Sequence, residues 1–145
     1  MLSYANVEAV LWPDRSTKWA RPLFMTSVSA GFPSPAESYI EGNLDLNRYL
    51  IKHPVATFYV RVSGDSMTGA GINAGSILVV DRHVEAEDGD IVIARINDEL
   101  CVKRLRVRRG RIWLMPENDD YQPIEVIESM DFEVWGRVMH AIRTF

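Results

Sequence analysis

Residues 88–115, DGDIVIARINDELCVKRLRVRRGRIWLM, decide the fold. Aliphatic and β-branched runs alternate there with two-residue turns. The Asp88-Gly89 turn leads into Asp90–Ile96, Asn97-Asp98 turns that run into Leu100–Val107, and Arg109-Gly110 turns again into Arg111–Met115. Residues that tolerate positive φ at such sites mark tight hairpins, so the stretch reads as three successive antiparallel strands. Working outward, Thr57–Val62 alternates with Phe58, Val60 and Val62 on one side, and Ser76–Val80 is a continuous run rich in β-branched residues. Pro123–Ile127 and Phe132–Ile142 close the chain as further strands. Some seven short strands at this spacing predict an all-β sandwich or small barrel. One short helix interrupts them: Asp45 caps it, Leu46, Tyr49 and Leu50 stand at helical spacing, and His53-Pro54 ends it.

Residues 1–38 are different. Four of the seven prolines lie there (Pro13, Pro22, Pro33 and Pro35), and no helical or strand period is sustained. Proline fixes φ and removes a backbone donor, so this stretch is expected to be an extended arm. Leu11, Trp12, Leu23, Phe24 and Met25 punctuate it as apolar anchors for docking on the body or on a partner. It is too short for a helix-turn-helix domain.

The chain has 145 residues, of which 47% are hydrophobic and 25% charged, as expected of one globular domain. No apolar run approaches the roughly 20 residues that span a bilayer, and the N-terminus lacks the pattern of a secretory signal. A lone cysteine, Cys101, allows no internal disulfide and fits a reducing, cytoplasmic setting. The formal charge of −4 argues against a general nucleic-acid binder.

Strand parity singles out Lys103. Cys101, Lys103, Leu105 and Val107 share one face of their strand, while Arg104, Arg106 and Arg108 take the other, so Lys103 points toward the core. A buried ammonium is costly and tends to lose its proton, which makes such a lysine a base near neutral pH. The alternative is that Lys103 snorkels at a strand end, or pairs with a carboxylate such as Asp65 or Asp90. A nucleophile candidate stands in Ser63-Gly64-Asp65-Ser66-Met67. Gly64 lets the chain turn sharply, exposing Ser66 and aiming the amides of Asp65 and Ser66 at a developing oxyanion. By itself this segment reads as an ordinary turn; its pairing with an inward lysine gives it chemistry.

Other motifs carry less. Gly69-Ala-Gly71-Ile-Asn-Ala74 mimics a dinucleotide fingerprint but runs into a strand rather than a helix. A triad of Ser66, His83 and Asp81 is an alternative, although Asp81 and His83 lie too close in sequence for the usual orienting geometry. No Cys, His and acidic residues have metal-ligand spacing. Lys103, Arg104, Arg106, Arg108, Arg109 and Arg111 form a basic cluster that suits either phosphate or a solvated hairpin tip.

These motifs together resemble the UmuD/LexA family of self-cleaving proteins. The likeness is to the accessory subunit of mutagenic DNA polymerase V and its plasmid-borne relatives, and more distantly to LexA and phage repressors. It rests on Ala30-Gly31-Phe32-Pro33-Ser34-Pro35-Ala36, Asp45-Leu46-Asn47, His53-Pro54-Val55-Ala56-Thr57, Ser63-Gly64-Asp65-Ser66-Met67, Gly89-Asp90-Ile91-Val92 and Val102-Lys103-Arg104-Leu105. The resemblance implies a small LexA/signal-peptidase-like β-barrel or sandwich with an extended arm. It implies Ser66 as nucleophile, Lys103 as general base, and a cut between Ala30 and Gly31. Residues 1–30 then form a cleavable arm and 31–145 the Ser–Lys β domain. UmuD itself has cysteine before the scissile glycine; Ala30 here matches LexA and the plasmid-borne relatives.

The resemblance also implies a cytoplasmic homodimer that needs no cofactor. Cleavage is expected to respond to the RecA–single-stranded DNA filament, and the processed form to join the UmuC polymerase subunit in error-prone translesion synthesis. Pro22, Leu23 and Phe24 resemble the segment with which the family touches the sliding clamp. The arm is expected to lie across the body as an added strand, Ser27–Phe32, over Ser66. A non-catalytic polymerase or clamp-binding module is the alternative. A signal peptidase would need a membrane anchor, and a DNA-binding repressor a helix-turn-helix, neither of which is seen in the sequence.

Overall fold

The computed structural model describes residues 5–14, 16, 20–24 and 40–145, with backbone alone at 20–24 and 40–42. Its elements are β1 (Val7–Leu11), β2 (Ala20–Phe24), β3 (Ile40–Asp45), α1 (Leu46–Leu50), β4 (Thr57–Val62), β5 (Ile77–Asp81), β6 (Ile91–Ile96), β7 (Glu99–Arg108), β8 (Arg111–Met115), β9 (Ile124–Val126) and β10 (Phe132–Ile142). Single 3-10 turns occupy Pro54–Ala56 and Thr68–Ala70. Two compact units result, one combining the chain up to Pro13 with His53–Phe145, the other Asp14–Lys52.

The first unit is one antiparallel sheet in the order β1-β4-β5-β10-β6-β7-β8-β9. It is curled into a half-barrel. The 11-residue β10 pairs with both β5 and β6 and carries two register shifts, at Val134/Gly136 and Val138/His140. Such bulges bend a strand and sharpen its twist, and so they help to roll the sheet. The curl brings the start of β1 to β7, where the Asn6 N–H donates to the Leu100 carbonyl at 3.2 Å.

Two apolar clusters hold the sheet. Phe58, Val60, Val62, Met67, Leu78, Val80, Ile93 and Val102 form the larger. Val92, Ala94, Ile96, Cys101, Leu105 and Leu114 form the other. Alternate residues of β6 and β7 thus feed opposite clusters, which is why both strands read as nearly continuous apolar runs.

The expected strands are all present, with ends within a residue or two, and α1 begins after the Asp45 cap, whose carboxylate accepts from the Asn47 N–H at 3.0 Å. Asn97 (φ 47°), Asp98 (φ 71°), Arg109 (φ 51°) and Gly110 (φ 76°) adopt the left-handed geometry that two-residue hairpins require. Two strands lie in the stretch read as having no strand period. β1 is a sheet edge against β4, with a register shift between Val7 and Ala9 that breaks the two-residue alternation. β2 pairs with β3 in the second unit, Pro22 opposite Asn43, Leu23 opposite Gly42 and Phe24 opposite Ile40.

One detail of β7 departs from parity. Val107, on the inward face by alternation, is exposed because the hairpin tip extends past the apolar clusters. Three of the cations there are matched locally: Arg104 pairs with Glu117, Arg108 with Asp88 at 2.5 Å and Arg111 with Glu125 at 2.7 Å. Among the described residues no helix is long and apolar enough to cross a membrane.

Candidate active site

Ser66 follows β4 in a loop pinned from several sides. Gly64 turns the chain at φ +75°, a conformation that costs other residues energy. Met67 then plunges into the larger apolar cluster, 1% exposed. The Ser66 carbonyl accepts from the Glu117 N–H at 2.8 Å, and the Gly69 N–H donates to the Glu117 carbonyl at 2.7 Å. That approach demands glycine, since a Cβ at position 69 would lie 2.5 Å from the Glu117 oxygen. The Asp65 carbonyl accepts from Asn118 Nδ2 at 2.9 Å, and its carboxylate accepts from the Tyr121 hydroxyl.

Lys103 reaches Ser66 from β7, where it pairs with Val92 of β6. Its side chain points to the same side as Cys101 and Leu105, as parity predicts, and the residue is 5% exposed. Nζ lies 2.8 Å from Ser66 Oγ. Burial pushes its pKa below the ordinary lysine value, opposed only by the nearby Cys101 thiol. The carboxylates considered as partners are engaged elsewhere: Asp90 faces Arg137 at 3.4 Å, and Asp65 faces Tyr121. Among the described residues no carboxylate pairs with Lys103, which counts against the ion-pair alternative. A buried lysine with no anion beside it among the described residues, touching a hydroxyl, has the makings of a neutral base.

A third side chain meets the pair. Asn6, 7% exposed, donates from Nδ2 to Ser66 Oγ at 3.2 Å and to the Val102 carbonyl at 3.2 Å. Its Oδ1 accepts from the Val102 N–H at 2.6 Å. Sequence reasoning missed Asn6, because one asparagine sixty residues from the serine, within an irregular arm, carries no local signal. These groups line a groove of about 540 Å³, together with Tyr121, Pro123, Ile124 and Met130.

The other expectations distribute as follows. Ala30, Gly31 and the segment Ser27–Phe32 lie outside the described residues. Pro22, Leu23 and Phe24 belong to β2, described by its backbone. The histidine triad is not assembled: the His83 N–H donates to Asp81 Oδ1 at 2.8 Å, His53 Nδ1 stands 2.6 Å from Asp81 Oδ2, and none of the three lines the Ser66 groove. Gly71 ends a 3-10 turn ahead of β5, so the glycine-rich stretch opens no helix.

Known proteins match most of this chain. The Peptidase S24-like family matches residues 22–139, a span that contains both Ser66 and Lys103. MucA of Salmonella typhimurium is 45% identical over 123 residues, covering 83% of this chain and 83% of that protein. ImpA of Escherichia coli is 45% identical over 130 residues, 90% of this chain and 88% of that protein. The LexA repressor of Bordetella parapertussis is 41% identical over 117 residues, 81% of this chain and 54% of the repressor. The chain belongs to the Peptidase S24-like family of serine proteases, and within it is a UmuD-like, SOS-related protein.

Proposed function

We propose that this chain cleaves its own Ala30–Gly31 bond, with Ser66 as nucleophile and Lys103 as general base. The observation that carries the reading is the 2.8 Å approach of the buried Lys103 Nζ, which no carboxylate among the described residues pairs, to Ser66 Oγ. Neutral Lys103 takes the Oγ proton as Oγ bonds to the Ala30 carbonyl carbon. The amides of Asp65 and Ser66, which have no acceptor among the described residues, stabilise the resulting oxyanion. The C–N bond then breaks, and Lys103 returns its proton to the Gly31 amine. Water, deprotonated by the same lysine, hydrolyses the acyl-enzyme. Tethering the bond to its own protease gives a high effective concentration, so a slow enzyme suffices.

In this reading residues 1–30 are the removable arm and 31–145 the catalytic body. The protein acts as a cytoplasmic homodimer. The RecA–single-stranded DNA filament favours the docked arm and so speeds the cut. The processed form joins UmuC in translesion synthesis, and Pro22, Leu23 and Phe24 contact the sliding clamp. The test is mass spectrometry after incubation at raised pH, with and without activated filament. The fragment beginning at Gly31 is expected, and Ser66→Ala and Lys103→Ala are each expected to block it while His83→Ala does not. Unchanged mass under both conditions would leave a non-catalytic accessory module instead.

A further inference from the structure

We propose that Asn6 is a positioning residue for this reaction, its side-chain amide holding the Ser66 hydroxyl turned toward Lys103. The inference rests on the reading of Ser66 and Lys103 as nucleophile and base. Asn6 is locked by its own backbone, with its N–H donating to the Leu100 carbonyl at 3.2 Å and its carbonyl accepting from the Ser63 N–H at 2.8 Å. Its side chain pairs both ways with the Val102 peptide, Oδ1 receiving the N–H and Nδ2 donating to the carbonyl. Rotating the amide by half a turn would set oxygen against oxygen and N–H against N–H, so its orientation is fixed. The group facing Oγ is therefore Nδ2, which only donates.

That constraint orders the hydroxyl. Oγ accepts from Asn6 Nδ2 and stands 2.8 Å from Lys103 Nζ. With Lys103 neutral, the only acceptor among the described residues in reach of the hydroxyl's single hydrogen is Nζ, because Nδ2 only donates. One lone pair stays open toward the groove for attack. The same N–H strengthens as charge grows on Oγ, since a donor to an ionised oxygen forms a stronger bond than one to a neutral oxygen. Asn6 also lies on the N-terminal side of the proposed cut. Conversion therefore severs the chain between the serine and its donor, leaving the pairing of β1 with β4 to retain Asn6 in the site.

The experiment follows phosphonylation of Ser66 in the full chain by a small aryl fluorophosphonate across pH. The probe forms an Oγ–P bond and expels fluoride while Lys103 takes the proton, and it needs no docked arm. Asn6→Ala is expected to lower the limiting rate roughly 10–100-fold, the value of a hydrogen bond to a charged oxygen. Asn6→Asp keeps an acceptor for the Val102 N–H but loses the donor and adds an anion beside Lys103. It is expected to be slow and to shift the labelling midpoint to higher pH, which a purely structural role would not do. If Asn6→Ala does not fold, as judged by its thermal transition, Asn6→Asp decides. Wild-type rate and midpoint in the variants overturn the proposal, as does faster labelling of Asn6→Ala, which would make the amide a plug. An unlabelled wild-type chain would instead refute the Ser66–Lys103 reading itself.

Discussion

Replacing Lys103 by methionine should abolish self-cleavage and make the fold more stable. The lysine is 5% exposed, its amine touches Ser66 Oγ, and no carboxylate among the described residues pairs with it. Burying a polar group with so little compensation costs about 1–3 kcal/mol. Methionine fills the space without that cost. It forfeits one hydrogen bond worth about 1 kcal/mol, while Ser66 keeps Asn6 as a partner. The net gain is roughly 0–2 kcal/mol, or up to about 8 °C in Tm for a domain of this size. The gain depends on pH in a definite direction. Burial lowers the Lys103 pKa from 10.5. Below the lowered value both folded and unfolded chains hold the proton, and the folded state bears the full desolvation cost. As pH rises through the interval up to 10.5 the folded chain loses the proton first and the cost fades. Chemical denaturation of wild type and Lys103→Met at pH 7 and near pH 10.5 measures both effects. A variant less stable than wild type at pH 7, or a gain of constant size across that range, would refute the assignment of Lys103 as a desolvated cation.

Further outcomes are expected. Gly69→Ala forces a Cβ to within 2.5 Å of the Glu117 carbonyl, so it should cost about 1–3 kcal/mol in denaturant titration and slow phosphonylation of Ser66 by displacing its loop. Leu78, fully buried in the larger cluster, should cost about 2–5 kcal/mol on truncation to alanine, read as a lower denaturation midpoint. The Cys101 thiol is buried and its pKa pushed up to about 11, mainly by burial, so iodoacetamide should alkylate it only in denaturant, with the adduct counted by mass.

Much of the body was legible because local rules agree there. Arg109-Gly110 and Asn97-Asp98 supply positive φ where hairpins need it, Asp45 caps the helix, and the β-branched runs between such signals became strands. Parity alone turned Lys103 inward. The arm was harder. A bulge inside β1 scrambles the alternation of its apolar residues, and Pro22 conceals a strand that pairs with β3. Asn6 had no signal at all, since its partners come from Ser63, Ser66, Leu100 and Val102.

What the sequence determined by itself is therefore what depends on neighbours a few residues apart: strand periods, turn chemistry, the cap, the inward face of β7, and the motifs that mark the family. Tertiary structure decided which groups meet. Curling the sheet brought the loop after β4, the middle of β7 and the residue before β1 to one point. It also left Asp90 to Arg137, so that Lys103 had a hydroxyl in place of a carboxylate. The physical reason is that side-chain periodicity fixes a direction for each residue, whereas distance across a sheet is set by its twist, bulges and closure, which no single segment encodes.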